Sequence, residues 1–395
     1  MTAPVVIVGA AMGGLRTAES LRRSGYSGAI QIVGDEAHLP YNRPPLSKDV
    51  LSSEVTHEAV AFPARAETSD VEWMLGSRAT AVDLDARTIT TDTATLPFRA
   101  LVIATGLRPR RLDLPALAGR HAVRSLDDAM ALRAELEPGA RVTVVGSGFL
   151  GCELASTATK LGCTVTIVTP SAEPMIRPLG EMLARELRGR LEAQGVAFEL
   201  GATVAALEGT ARVESVTTST GRIIPTDVVI EAIGSDCNDD WLAGSGLDLS
   251  DGVLANNALR AVTSEGARDD VYVVGDIARF PNPLFDEVPR RIEHWNIPTD
   301  TGKRAGAVLG GWLAGDDTAA TQPFAPMPSF WSNQFDIKLQ AYGLPGLADE
   351  VSIVEGDLAG EVAVGYYRHG RLVGVVGVGL KAALLPYRQQ IAEQG

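Results

Sequence analysis

The chain has 395 residues, 45% of them apolar and 21% charged, with a formal net charge of −14 at pH 7. This length predicts two or three domains with a core each, and the acidic balance excludes nucleic acid and anionic membrane surfaces as general partners. No uncharged apolar run of 18 residues offers a membrane span, and three scattered cysteines, Cys152, Cys163 and Cys237, predict a reducing cytoplasm and no disulfide framework.

In chain order, a β-branched run predicts a strand over 4–8, so early that no leader sequence is expected before it. A helix follows over 13–25, where Leu15, Ala18 and Leu21 share one face, and then a strand over 29–33. Residues 39–50, LPYNRPPLSKDV, carry three prolines and predict an ordered, non-helical start to a loop. β-rich segments lead to a strand over 100–104, and 107–120, with Pro109, Pro115 and several arginines, is expected to cross between domains. A second strand–helix–strand unit begins near Arg141, with its helix over 153–161 and its strand over 164–168. Residues 181–193 read as helix and 213–233 as hairpin-like strands. A turn-rich stretch runs from 246 to the strand near Val271–Val274, a helix covers 299–315, and short strands with a final helix complete the chain. The doubled strand–helix–strand unit is the only internal repeat expected.

Two glycine-rich turns carry the chemistry: Gly9-Ala10-Ala11-Met12-Gly13-Gly14 and Gly146-Ser147-Gly148-Phe149-Leu150-Gly151. Each follows a strand and opens a helix, so backbone N–H groups and a helix N-terminus face a dinucleotide pyrophosphate. Two copies imply two dinucleotides with electrons passing between them. Ala11 replaces the usual second glycine and tightens the first turn. Asp35, at the end of the second strand, suits a ribose, with Glu36 as its understudy; the plain alternative for both is a solvated turn. After the second unit's strand the expected acid is replaced by Thr169, and Glu173 is the nearest carboxylate able to reach back.

The chain resembles the FAD-dependent ferredoxin reductases of bacterial oxygenase systems, relatives of putidaredoxin and rubredoxin reductases and of apoptosis-inducing factor. The resemblance rests on PYNRPPLSK (40–48), Ala104-Thr105-Gly106 with Arg110, Arg124 before SLDD, GSGFLGCELA (146–155), VYVVGD (271–276), RRIEHW (290–295) and FWSNQFDIKLQ (330–340). It implies an α/β fold of two Rossmann-like, glutathione-reductase-like dinucleotide-binding domains plus a C-terminal α+β interface domain. The divisions expected are 1–113 with 246–319 for FAD, 114–245 for NAD(P)H, and 320–395 for the interface. The resemblance places Lys48 beside the flavin and Glu153 facing the nicotinamide within reach of Lys48, the two expected catalytic residues. The bland alternatives are a surface lysine and a helix N-terminal acid.

The resemblance further implies non-covalent FAD held by Gly9, Gly13, Gly14, Asp35, Glu36, Arg43, Lys48, Ala79, Ala104, Thr105, Gly106, Arg110, Arg124, Asp276, Glu293, His294, Trp295 and Trp331. Asp276 also suits a helix cap, the arginines also suit surface ion pairs, His294 a structural hydrogen bond, and Trp331 domain packing. The nicotinamide set is Gly146, Gly148, Phe149, Leu150, Gly151, Glu153, Thr169 and Gly234, with NADH the expected donor and NADPH the alternative. No Cys-x-x-Cys pair offers a dithiol relay, and the five histidines lack metal-ligand spacing, so no metal is expected. The partner implied is a small iron–sulfur ferredoxin, bound transiently by a monomer or weak homodimer, with Arg108, Arg110, Arg111, Arg290 and Arg291 as a basic docking patch. The rival functions are a flavin-dependent NADH oxidase or monooxygenase, and a redox-sensing FAD/NAD-binding protein.

Overall fold

Val5–Val8, with all four side chains buried, forms the central strand of the first sheet. The structure is a computed structural model, and it describes residues 3–394. In that sheet the strand order is Arg260–Thr263, Gly266–Val273, Ala100–Ile103, Val5–Val8, Ile30–Val33, Glu72–Met74. Every neighbouring pair is parallel except the first. The chain leaves Val5–Val8 toward Ile30–Val33 and later returns to its other side. That reversal opens a crevice at the strand's carboxyl end. Gly9 stands there with φ +125°, and a Cβ would come within 2.1 Å of the Ala104 carbonyl oxygen, so only glycine fits.

The helix Met12–Arg23 buries Leu15, Ala18 and Leu21, as their spacing predicts. It packs on the helix Ile297–Ala314, which begins two residues before its expected start at 299. The approach is close: a Cβ on Gly306 would lie 2.6 Å from both the Thr17 carbonyl oxygen and the Ser20 Cβ. Ser20 Oγ donates to the Lys303 carbonyl at 2.7 Å, which fixes the register.

The second sheet is wholly parallel, in the order Ala197–Leu200, Thr164–Thr169, Arg141–Val145, Val228–Glu231, Arg120–His121. Its helix, Phe149–Lys160, starts four residues before the expected 153, because the turn of glycines feeds straight into it. The helix Ile176–Ala193 is interrupted at Gly180. The repeat extends beyond the predicted strand–helix–strand unit. Each half also carries a three-stranded antiparallel meander, Ala79–Asp83 with Thr88–Thr91 and Thr95–Pro97, then Val204–Glu208 with Ser215–Thr218 and Ile223–Pro225.

The chain crosses between the halves on a two-stranded antiparallel ribbon, Leu107–Pro109 against Ser235–Cys237. The C-terminal part is a five-stranded antiparallel sheet, in the order Ser329–Gln334, Ile337–Gly343, Arg371–Val378, Val362–Arg368, Glu350–Gly356, with the helix Leu385–Glu393. One core joins the first sheet to Trp241, Leu242 and the helix Ile297–Ala314. A second joins the other parallel sheet to the C-terminal sheet and to Leu46, Val50 and Leu51. The proline-rich loop is more helical than its prolines alone predict. Pro44–Ser47 winds as a 3₁₀ turn with proline at its first position, and Asp49–Ser52 adds one α turn. Among the described residues no helix is long and apolar enough to cross a membrane.

Candidate functional site

Two cavities meet at the first glycine turn. One, of about 280 Å³, is lined by Gly9, Asp35, Ala79 and Thr105 among the expected residues. The other, of about 360 Å³, takes in Gly13, Arg43, Lys48, Ala104, Gly106, Arg124, Asp276, Glu293, His294, Trp295 and Trp331. Phe149, Leu150 and Glu153 from the second unit line the same space. Three parts of the chain therefore share one chamber: the first unit, the start of the second unit's helix, and the first strand of the C-terminal sheet.

Lys48 and Glu153 are brought together there. Lys48 Nζ lies 2.6 Å from Glu153 Oε2 and also donates to the Pro44 carbonyl at 3.2 Å. Ser47 Oγ donates to the same Oε2 at 2.7 Å, and Ser332 Oγ donates to Oε1 at 2.8 Å. Gln334 Nε2 supports Ser332 at 3.0 Å, and Thr157 Oγ1 donates to the Ser47 carbonyl at 2.7 Å. Both carboxylate oxygens are thus satisfied by donors from different segments, the condition under which a buried ion pair is tolerated. Ser332 and Gln334 were not singled out in the sequence. Their signal was available: Phe330, Ser332 and Gln334 occupy the buried phase of one strand, where a polar side chain requires a partner.

The arginines sort differently from expectation. Arg43 is ion-paired with Glu36 at 2.5 Å, and Arg124 with Asp276 at 3.2 Å. Burial disfavours the Arg43 charge, but Glu36 and Tyr41 outweigh it and raise its pKa. Glu36 is committed to Arg43 and to the Tyr41 hydroxyl and lines neither cavity, so the understudy role for a ribose is not where the structure puts it. Asp35 is exposed and lines the smaller cavity. Arg110 also lies outside both cavities, on the ribbon, held by Asp236 at 2.7 Å. Arg108 takes its place in the smaller cavity, beside Arg78, Asn238 and Trp241, none of them foreseen there. The five arginines of the expected docking patch are each paired: Arg108 with Asp240, Arg110 with Asp236, Arg111 with Glu231, Arg290 with Asp286, and Arg291 with Asp251 and Glu293. They do not make a free positive surface.

Aromatic rings close the larger cavity. Trp295 and Trp331 meet edge to face at 5.2 Å, and Trp295, 40% exposed, donates its indole N–H to Asn42 at 3.2 Å. Phe330 touches Phe149 and His294, each at 4.9 Å between ring centroids. Burial pushes the His294 pKa down to about 4, which keeps its imidazole neutral. Its Nδ1 is sealed from solvent without a partner, so the structural hydrogen bond considered from sequence is not made at that atom.

At the second glycine turn, a Cβ on Gly146 would lie 2.2 Å from the Ala232 oxygen, and one on Gly151 2.1 Å from the Gly146 oxygen. Gly148, before the helix, faces open space within 4 Å. Gly234, with φ +99°, precedes the ribbon's return strand and accepts the Arg110 N–H at 2.9 Å. Thr169 is buried, and its hydroxyl accepts from Ser147 Oγ at 2.9 Å.

FAD fits these residues. The first turn approaches its neighbours so closely that side chains are excluded, and Ala11 leaves the helix's first amides without a side-chain cap. His294, with its neutral imidazole, lines the same chamber.

The sequence profile described as pyridine nucleotide-disulphide oxidoreductase matches residues 3–302, and a reductase C-terminal profile matches 329–395. The chain is 34% identical to the anthranilate 1,2-dioxygenase system ferredoxin–NAD(+) reductase component of Burkholderia cepacia, over 99% of this chain and 97% of that one. It is 31% identical to rhodocoxin reductase of Rhodococcus erythropolis, over 95% and 86%. Among solved structures, the covalent putidaredoxin reductase–putidaredoxin complex superposes with a TM-score of 0.90 at 28% identity, covering 99% of this chain and 93% of the other.

Proposed function

The chain belongs to the pyridine nucleotide-disulphide oxidoreductase family, among the ferredoxin reductases of bacterial oxygenase systems, and from this we propose how its residues serve that activity. It is an FAD-dependent NAD(P)H:ferredoxin oxidoreductase, and the electron acceptor we propose is a small [2Fe–2S] ferredoxin feeding a haem monooxygenase or a ring-hydroxylating dioxygenase. Bound FAD supplies the redox chemistry, accepting a hydride and releasing electrons one at a time. Gly9, Gly13, Gly14, Asp35, Ala79 and Thr105 hold its dinucleotide portion, while Arg43, Arg124 and Asp276 position the middle. Lys48, which lines the chamber, would hold the flavin and stabilise negative charge on it with its ammonium. Glu153 orients that ammonium, and Ser47 and Ser332 orient Glu153.

The observation that carries this reading is the Lys48–Glu153 pair at 2.6 Å inside a chamber lined by both glycine-turn units. Phe149 and Leu150 project into the chamber from the second unit, which supports delivery of the nicotinamide from that side. Phe330, Phe149 and His294 exclude water, and the exposed Trp295–Trp331 edge is the proposed exit toward ferredoxin. We place the domain divisions as 1–113 with 246–319, 114–245 and 320–395. Trp241 and Leu242 pack in the first core, which favours a return boundary near the ribbon strand Ser235–Cys237. Three free cysteines support a cytoplasmic setting.

The test is rapid-mixing reduction of the holoenzyme by a nicotinamide donor, followed by transfer to a [2Fe–2S] ferredoxin, with peroxide measured in parallel. Fast flavin bleaching, ferredoxin reduction and little peroxide are expected. Fast peroxide release that ferredoxin does not suppress would identify an oxidase instead. Ser332→Ala is expected to slow bleaching several-fold and to shift its pH profile, since about 2 kcal/mol of charge-assisted hydrogen bonding to Glu153 is lost. An unchanged profile would remove Ser332 from the mechanism.

A further inference from the structure

In a unit of this build, an acid ending the second strand binds the ribose 2′-hydroxyl of NADH and repels the 2′-phosphate of NADPH. Here that residue is Thr169, and its hydroxyl is engaged by Ser147 Oγ at 2.9 Å and by the Ser171 N–H at 3.3 Å. The following loop is tied back onto the turn, for Met175 N–H donates to the Ser147 carbonyl at 2.8 Å.

Three other acids belong to this end of the sheet, and each is already answered. Glu231, ending the neighbouring strand, is buried against Arg111 and Arg120. Glu173 is buried, with Arg188 Nε at 2.7 Å and Arg185 Nε at 3.4 Å. Glu199 accepts Arg222 at 2.6 Å and the Thr220 hydroxyl at 3.1 Å. Reaching back toward a ribose would cost Glu173 its ion pair and leave Arg188 with only Glu192. Among the nearby cations Arg185, though 61% exposed, is bridged to Glu173 and Glu181, whereas Arg177 is exposed and has no ion-pair partner among the described residues.

We infer that this ribose site does not discriminate by charge, and that the enzyme takes NADPH as well as NADH, with Arg177, the unpaired cation that follows this strand, free to meet a 2′-phosphate. The inference rests on the reading that the nicotinamide donor binds at the second glycine turn. It replaces a preference for NADH with near-indifference, because neither an attracting acid nor a repelling one is free. The basis is electrostatic: without a carboxylate, the difference between the two donors shrinks to hydrogen bonds and partly screened cations.

Calorimetry of the holoenzyme with NAD⁺ and NADP⁺ tests it without turnover, and rapid-mixing reduction by NADH and NADPH accompanies it. Dissociation constants within about fivefold of each other are expected, that is, within about 1 kcal/mol. A larger ratio in either direction, or no detectable NADP⁺ binding beside clear NAD⁺ binding, overturns the inference. Failure of both donors to bleach the flavin would instead overturn the functional reading itself. Thr169→Glu is expected to widen the ratio toward NAD⁺ by about tenfold. Arg177→Gln, at an exposed position without an ion pair among the described residues, is expected to lower the affinity for NADP⁺ relative to NAD⁺ by about threefold or more. An unchanged ratio there would remove Arg177 from the assignment.

Discussion

The two glycine-turn units share the order of four parallel strands, the helix position and the meander, yet they enclose their glycine turns differently. Around the first, the ribbon, the proline-rich loop, the helix Ile297–Ala314 and the C-terminal strand Ser329–Gln334 contribute to the walls of two cavities. Around the second, Gly148 looks into open space and the acid expected at position 169 is missing. The first has the poorer glycine pattern and the better enclosure; the second has the full pattern and little roof. Retention of a dinucleotide therefore depends on what surrounds the turn, and the glycines only permit the approach of the phosphates.

The largest expected effect breaks the comparison at its root. Gly9→Val would drive a side chain into the Ala104 carbonyl, 2.1 Å from the Cβ position, and is expected to cost about 4 kcal/mol or more and to yield protein without flavin. Thermal unfolding and bound-flavin absorbance read both outcomes. Next, Lys48→Ala strips the buried Glu153 of its counter-charge, at about 3 kcal/mol of stability, and is expected to slow flavin reduction by about tenfold or more. Unchanged reduction kinetics would sink the proposed role.

A third effect is visible only in acid. His294 titrates near 4 when folded, and near its ordinary value of about 6.5 when unfolded. The unfolded chain therefore binds the proton first, so stability falls as pH drops from about 6.5 to 4, by no more than about 3 kcal/mol, and is level above that window with respect to this group. His294→Phe is expected to flatten that part of the denaturation-against-pH curve, and an identical slope would show that the imidazole is charged when folded. The smallest effect sharpens the contrast with Gly9. Gly148→Ala meets nothing within 4 Å and is expected to cost about 1 kcal/mol or less, while raising the KM of the nicotinamide donor several-fold. A loss of stability comparable to that at Gly9 would mean that the second turn is as enclosed as the first.

Much of this was legible along the chain. Val5–Val8 and Arg141–Val145 announce themselves by β-branched runs ending in glycine, and Leu15, Ala18 and Leu21 declare the buried helix face, because local periodicity reports which side meets the core. The Lys48–Glu153 meeting followed from family resemblance, not from spacing, since 105 residues separate them. What stayed hidden depends on contacts between distant segments. Ser332 reaches Glu153 across 179 positions. Arg290 and Arg291 read as a basic patch until their carboxylate partners are seen. Glu36 looked free for a ribose, but Arg43, seven residues on, takes it. Composition counts charges, and only packing decides which of them face outward unanswered.

The ribbon has a consequence for how such a chain can be built and rebuilt. Outgoing Leu107–Pro109 and returning Ser235–Cys237 lie side by side, and the Asn238 N–H donates to the Gly106 carbonyl at 3.0 Å. The chain thus enters and leaves the segment 107–237 at one seam, although that segment also packs on Leu46, Val50, Leu51 and the C-terminal sheet. A homologous segment transplanted there would exchange the donor-reading half of the enzyme only if it also carried the counterparts of Arg124 and Glu153, which line the flavin-side chamber.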